Sequence, residues 1–285
     1  MKIALIPNLT RHKAREVTLS LCDELKKAGI DFCFSSALRE SLAEFSDGCF
    51  VDTSVYIKNS DMVISVGGDG SMLRAAKLAA AENKNVLGIN AGRLAYLCGL
   101  DKNELTLLSC LNDGKFTVQQ RMMLHVTVEK DGNIIYEDTC LNDAVFSRGA
   151  NLKLINLCVK TGGRDIADYL ADGAIFATPT GSSAYSMSAG GPIVEPVLEA
   201  VLLTPICPHS LAVRPYIFSG DAEFEVSVKP VYEETDNVFL SCDGGEAVQI
   251  DESCIVRISK SDIKAGFISI KTDNFIDVLN KKLEK

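Results

Sequence analysis

The chain has 285 residues, of which 47% are hydrophobic and 24% charged, with a net charge of −9 at neutral pH. That length allows one large domain or two ordinary ones with a sizeable core, and the composition is that of an average soluble globular chain. No apolar run approaches the roughly 18 residues that span a bilayer, and no basic cluster interrupts the acidic background, so membrane and nucleic acid are both poor partners. Ten cysteines are scattered without a C-x-x-C pair or the histidines of a zinc site. Cys22, Cys33 and Cys158 fall on apolar-periodic positions, and ten free thiols fit a reducing compartment, so a cytoplasmic location is expected.

In chain order, Lys2–Ile6 reads as a first strand, with neither the length nor the cleavage site of a secretion signal. Thr10 is set to cap a helix whose Ala14, Val17, Leu21, Leu25 and Ala28 share one face, and Gly29 ends it. Asp31–Ser35 is the next strand, and 36–60 show no clean period. Strand Met62–Val66, the loop Gly67-Gly68-Asp69-Gly70, helix Ser71–Glu82, strand Asn85–Ile89 and a helix around Glu104–Leu111 follow. Alternation of this kind predicts a parallel sheet with helices on its faces and ligands at the strands' carboxyl ends, where the glycine loop falls.

Beyond residue 115 the pattern shortens. Met122–Glu129 and Ile134–Phe146 alternate around an Asp131-Gly132 turn as a hairpin does. Strand-like runs recur at Leu154–Lys160, Gly173–Ala177, Glu223–Val228, Val238–Ser241, Ala247–Ile250 and Cys254–Ser259. The expected architecture is α/β + β. A Rossmann-like domain spans 1–115 and a mainly antiparallel β domain spans 116–271, with a cleft between them. The helix read over Asn274–Leu283, taken as segment 272–285, packs back on the first domain.

The glycine loop fits neither common phosphate motif. Leu73 stands where a dinucleotide fingerprint needs its third glycine, and the Lys-Ser/Thr of a P-loop is missing. A plain reading is a tight βα turn with Asp69 as a cap, since Asp-Gly pairs recur at 113–114, 131–132, 172–173 and 243–244. A functional reading starts from charge. Amides at a helix N-terminus attract anions. An acid among them is useful beside a divalent cation bridging it to phosphate, or beside a hydroxyl whose proton it removes. Either makes a phosphoryl-transfer site for a small-molecule nucleotide.

The second feature is "DGAIFATPTGSSAYSMSAGGPIV", Asp172 to Val194. A strand runs into Thr178-Pro179-Thr180-Gly181, and Ser182–Ala189 starts a helix that Gly190-Gly191-Pro192 stops. Its plain reading is a small-residue turn packed on a sheet. The density of hydroxyls at Thr178, Thr180, Ser182, Ser183, Tyr185, Ser186 and Ser188 exceeds that need and suits a polar ligand beside an aromatic platform, Tyr185.

Together these segments resemble the NAD kinase family. Gly67–Gly70 matches its GGDG loop, Asn90–Tyr96 its N-x-G-x-L-G-F segment, Asn142-Asp143 its Asn-acid pair, and Asp172–Pro192 its long D-G…T-P-T-G-S-T-A-Y-S-x-S-A-G-G-P motif. Ile206–Pro215 and the CDGG stretch at Asp243 also resemble family segments. Ala95 and Tyr96 stand where the family has Gly-Phe, and Ser183 where it has Thr.

The resemblance implies an NAD kinase-like α/β + β fold. It also implies transfer of the terminal phosphoryl group of ATP, or of polyphosphate in some members, to the 2′-hydroxyl of the adenosine ribose of NAD. Carried over, Asp69 is the catalytic base or aligns that hydroxyl. Gly67 and Gly68 lie near phosphates, with Gly70 and Tyr96 toward NAD. Asn142 and Asp143 hold the dinucleotide, and Ser183, Ala184, Tyr185 and Ser188 surround adenine and its ribose. Asp172 resembles a carboxylate offered across a subunit interface, which implies a homodimer or homotetramer. Arg93 either meets phosphate or lies on the surface.

Magnesium or manganese is expected, because few lysines and arginines in these motifs are there to neutralise phosphate; no metal ligand is assigned. A lipid or sugar-phosphate kinase sharing GGDG leaves Thr178–Pro192 unexplained. A non-catalytic dinucleotide sensor has no use for the acid, and a dehydrogenase needs the missing fingerprint. His209 either faces the site or is structural, while His12 and His125 read as a helix face and a strand.

Overall fold

The computed structural model describes residues 1–11, 13–92, 95–150, 153–210, 212–231, 238–271 and 275–283. Two compact units divide the chain: Met1–Gln120 together with Ala265–Lys285, and Arg121–Lys264.

Unit 1 opens with β1 (Lys2–Pro7), α1 (Ala14–Lys27), β2 (Asp31–Ser35), β3 (Phe50–Val51) and β4 (Met62–Gly67). It continues with α2 (Asp69–Ala81), β5 (Asn85–Asn90), β6 (Leu100–Asp101), a 3-10 turn over Leu105–Leu111, and β7 (Thr117–Arg121). Strand order is β3-β2-β1-β4-β5, continuing through a strand from the chain's far end to β7, with β6 also on β5. The pairs among β1 to β6 are parallel. All six residues of β4 are buried, as befits a central parallel strand covered on both faces. From α1, Ala14, Val17, Leu21 and Leu25 are buried, the face read from the sequence. In α2 the buried set is Met72, Ala75, Ala76, Ala79 and Ala80, and its small residues let the helix lie close on the sheet.

Thr10 does not cap α1. The helix begins after Lys13, which is left-handed at φ 71° and makes no side-chain cap bond. The Thr10 hydroxyl donates instead to Asn8 Oδ1 at 2.7 Å, and Asn8 donates to Ser71 Oγ at 2.9 Å, drawing Thr10 into the β4–α2 turn. The expected helix near 104–111 is a 3-10 turn burying Leu105, Leu108 and Leu111.

Unit 2 is a two-sheet β structure. Its strands begin with β8 (Leu124–Lys130), β9 (Asn133–Cys140), β10 (Asp143–Ser147), β11 (Ile155–Thr161), β12 (Arg164–Ala171) and β13 (Gly173–Ala177). After a short α3 (Tyr185–Ser188) come β14 (Ala200–Ile206), β15 (Tyr216–Ser219), β16 (Phe224–Lys229), β17 (Val238–Cys242), β18 (Val248–Ile250) and β19 (Cys254–Lys260). One sheet runs β15-β14-β13-β10-β17-β18 and the other β12-β11-β16-β19-β8-β9. Inner faces of both fill one core, in which Phe176 meets Phe146 at 5.8 Å and Phe224 at 5.2 Å between ring centroids. The Asp131-Gly132 hairpin forms with φ of 52° and 78° and joins β8 to β9. The run Ile134–Phe146, read as one strand, breaks at Leu141-Asn142, where the chain passes from one sheet to the other.

The chain then returns to unit 1 through β20 (Ala265–Ser269), parallel to β5, and α4 (Phe275–Leu283). With β7 and β20 both in its sheet, unit 1 reaches further than the 1–115 block, and the strand at 265–269 leaves the 116–271 block. Residues 272–274 and 284–285 of the expected terminal helix lie outside the described residues.

Candidate active site

In unit 1 the site grows from the end of β4. Gly68 is the N-cap of α2 and Asp69 its first helical residue, so the helix starts two residues before the position read from sequence, and Asp69 is not the cap. An acid there is favoured by the helix dipole. Asp69 Oδ1 accepts from Leu97 N at 2.8 Å, a partner 28 residues away on the loop after β5, and Oδ2 receives no hydrogen bond from the described residues. That loop is anchored by Asn90, whose side chain donates to Asp101 at 2.9 Å and accepts from Gly92 N at 2.9 Å. Tyr96 is half-buried on the same loop; Arg93 lies outside the described residues.

The glycines divide by cause. A methyl at Gly67 would sit 2.4 Å from Ser71 Oγ and 2.6 Å from Ser71 Cβ, so packing demands glycine. Gly68, extended at φ −118° and ψ −167°, and the helical Gly70 would have nothing within 4 Å of an added methyl. Neither packing nor backbone dihedral accounts for glycine there, which suits close approach of a ligand to the amides of a helix start. Gly68→Ala is therefore expected to melt with the wild type yet lose activity, while Gly67→Ala loses about 1–3 kcal/mol of stability by overpacking. Thermal melts beside initial rates check both.

In unit 2 the Asn142-Asp143 pair occupies the passage from β9 into β10. Thr178 N donates to Asn142 O at 2.8 Å and Thr178 Oγ1 to Leu141 O at 2.6 Å. Asp243 accepts at its carboxylate from Leu141 N at 2.8 Å, Asn142 N at 2.7 Å and Asp143 N at 3.1 Å. With the backbone held, the side chains remain unpaired. Asn142 Oδ1 is buried without a hydrogen-bond partner. The carboxyl of Asp143, 6% exposed, receives no hydrogen bond from the described residues. Buried polar groups left open in this way fit an absent polar ligand.

Burial first, and the Asp243 charge second, push the Asp143 carboxyl from 3.8 up to about 7. The folded value exceeds the unfolded one, so the native state binds this proton more tightly. The stability it contributes is full below about pH 4 and lost as pH rises through about 7. The ligand-free melting temperature is expected to fall over that window relative to Asp143→Asn. Parallel melting curves for the two proteins across it refute the assignment.

The hydroxyl-rich segment divides, correcting the view that its hydroxyls serve a ligand collectively. Thr178 bonds Leu141 O, Ser182 Oγ donates to Pro179 O at 2.7 Å and accepts from Val194 N at 2.9 Å, and Ser186 Oγ meets Thr204 Oγ1 at 2.9 Å; all three are buried. Ser183 is half-buried, Ser188 exposed, and Tyr185 46% exposed, with Ala184 just before α3. The expected helix is a 3-10 turn over Gly181–Ser183 followed by the single turn of α3.

Asp172 forms an ion pair with Arg148 in its own chain, Nε to Oδ1 at 2.8 Å. His209 is exposed, with its N–H on Leu170 O at 2.8 Å; His125 pairs with Glu137 at 2.8 Å; His12 lies outside the described residues. Sequence reasoning assigned no role to Asp243. Its Asp-Gly signal is the ordinary one of a turn, whereas its carboxylate acts on backbone about 100 residues away.

Two family models put the chain in the class of kinases built from two successive domains. Residues 3–114 match the ATP-NAD kinase N-terminal domain and residues 141–270 the ATP-NAD kinase C-terminal domain. The chain is 40% identical to the NAD kinase of Desulforamulus reducens over 226 residues, 79% of this chain and 77% of that protein. Identity to the NAD kinase of Acetivibrio thermocellus is 35% over 284 residues, 99% of this chain and 97% of the other. The fold is also that of yeast NADH kinase crystallised with NADH, with a TM-score of 0.90 at 23% identity, covering 100% of this chain and 87% of that one. This chain belongs to the NAD kinase family.

Proposed function

We propose that the chain transfers the γ-phosphoryl group of ATP to the 2′-hydroxyl of the adenosine ribose of NAD, giving NADP. The observation that carries this reading is Asp69 itself: one oxygen is tied to Leu97 N, and the other is open at the start of a helix behind two consecutive glycines. A carboxylate so held accepts the 2′-hydroxyl proton as the oxygen attacks phosphorus. Gly67, Gly68 and Gly70 line that approach with backbone. The open oxygens of Asn142 and Asp143 accept hydrogen bonds from the dinucleotide. Carboxylates suit ribose hydroxyls and disfavour a 2′-phosphate, which favours NAD over NADP as bound substrate.

Ser183, Ala184, Tyr185 and Ser188 frame adenine and its ribose in this reading, with Tyr96 and Arg93 as further contacts to the dinucleotide and phosphate. No group of three or more His, Cys, Asp or Glu among the described residues is arranged to hold a metal. Magnesium or manganese fits as a cation carried on the nucleotide phosphates; when bound it would offset phosphate charge.

Self-association as a homodimer or homotetramer belongs to the same reading, with the Asp172 carboxylate offered across the subunit interface to a neighbouring subunit's nucleotide. Among the described residues no helix is long and apolar enough to cross a membrane. All ten cysteines are free, which supports a cytoplasmic location.

The test is incubation of the full chain with NAD, ATP and magnesium, with NADP read by an NADP-specific dehydrogenase. Accumulation of NADP is expected. None with either ATP or polyphosphate overturns the reading in favour of a sensor.

A further inference from the structure

We infer that Asp243 is a positioning residue for the reaction, holding the backbone of Asn142 and Asp143 so that their side chains stay aimed at the dinucleotide. The inference rests on the reading of those two residues given above.

Leu141 and Asn142 lie between β9 and β10, as the chain leaves one sheet and has not yet joined the other. Backbone N–H groups at such a passage have no ladder to join, and left unpaired in a buried place they are costly. Asp243 supplies their acceptors. Its Oδ2 takes Leu141 N, and its Oδ1 takes both Asn142 N and Asp143 N. Its own N–H returns to Asp143 O at 2.9 Å.

Three N–H bonds to one carboxylate are charge-assisted and directional, and they fix three successive peptide planes. From the other side Thr178 takes up the carbonyls of Leu141 and Asn142, so the segment is gripped on both edges. The Asp243-Gly244 turn supplies the placement: both residues are left-handed, at φ 53° and 67°, and aspartate tolerates that region better than most side chains.

A merely structural clamp has no reason to leave its cargo unsatisfied. Here two of the three gripped residues carry open side-chain oxygens: Asn142 Oδ1 is buried without a partner and the buried Asp143 carboxyl receives no hydrogen bond from the described residues, an arrangement that rigid support preserves and relaxation would erase. The Asp243 carboxylate holds backbone N–H groups of Leu141, Asn142 and Asp143, so it acts through Asn142 and Asp143.

The test compares the full chain with Asp243→Ala, Asp243→Asn, Asn142→Ala and the double variant Asn142→Ala/Asp243→Ala. KM for NAD, KM for ATP and kcat are measured separately. Asp243→Ala is expected to raise KM for NAD about tenfold or more, while KM for ATP stays within about twofold. Asp243→Asn keeps an Oδ1 acceptor for Asn142 and Asp143 but sets its amide NH2 against the Leu141 N–H, so its increase is expected to be smaller than that of Asp243→Ala yet measurable. In the double variant, Asp243→Ala raises KM for NAD by a smaller factor than it does in the wild type, because the part of its action that runs through Asn142 is already lost.

The proposal is overturned if Asp243→Ala folds and keeps the wild-type KM for NAD. It is also overturned if only kcat falls, as for a reduced active fraction, or if the two single effects multiply fully. Should Asp243→Ala not fold, the same comparisons with Asp243→Asn decide. An unchanged KM for NAD in Asn142→Ala removes the underlying reading, a result distinct from an unchanged KM in the Asp243 variants alone.

Discussion

Replacing Asp69 by asparagine is expected to lower kcat at least about a hundredfold while leaving KM for NAD within about threefold. The amide is nearly isosteric and keeps a carbonyl oxygen for Leu97 N, so the loop after β5 retains its anchor. What it lacks is a basic oxygen for the ribose hydroxyl proton. Because the loss falls on the transition state, kcat and kcat/KM fall together. The melting temperature is expected to hold or fall slightly, since the amide keeps the Leu97 N bond but gives up the acid's favourable interaction with the α2 dipole. Single-turnover formation of NADP, with NAD binding measured separately, separates the two effects; a near-normal rate removes Asp69 from its assigned role.

Gly181→Ala is expected to damage both stability and substrate binding. An added Cβ would lie 2.1 Å from Asn142 O and 2.5 Å from Asn142 C, both backbone atoms without a side-chain torsion to relieve the clash. Either the Thr178–Gly181 turn lifts away or the Asn142 peptide is displaced. In both cases the Thr178 N bond to Asn142 O at 2.8 Å lengthens. Overpacking of this kind costs about 1–3 kcal/mol, which at this chain length lowers the melting temperature by several degrees. The displaced Asn142 is expected to raise KM for NAD by at least about tenfold even in the fraction that folds. Melting curves together with KM for NAD check this. A variant that melts and binds as the wild type does would show that the turn and Asn142 are not rigidly coupled.

The contrast with Gly68 shows how much of the site was legible beforehand. Both glycines sit in motifs that stand out in the sequence. Which glycine answers to packing and which leaves room for a ligand depends on the atoms across the turn, and those come from residues distant in sequence. The same limit governed the hydroxyls. Seven of them crowd one segment, and composition treats them alike, yet Ser182 and Ser186 are buried on hydrogen bonds to Val194 and Thr204 while Ser188 is exposed.

Strand recognition failed where periodicity was absent. β14 is a nearly continuous buried run containing Pro205, a residue that argues against a central strand, yet it lies between β13 and β15. β20, with four of its five residues buried, shows no alternation, and its parallel partner β5 lies about 180 residues away.

By itself the sequence determined the α/β + β order, the buried face of α1, the β8–β9 hairpin and the family. Each of these is written in local periodicity, in turn chemistry, or in motifs contiguous along the chain. Only the tertiary structure decided that Thr10 serves the β4–α2 turn, that Asp69 is tied to Leu97, and that the Asp243 carboxylate holds Leu141, Asn142 and Asp143. Those assignments are hydrogen bonds between segments far apart in sequence. A polar side chain's identity says only that it needs partners; the packing of the sheets says which.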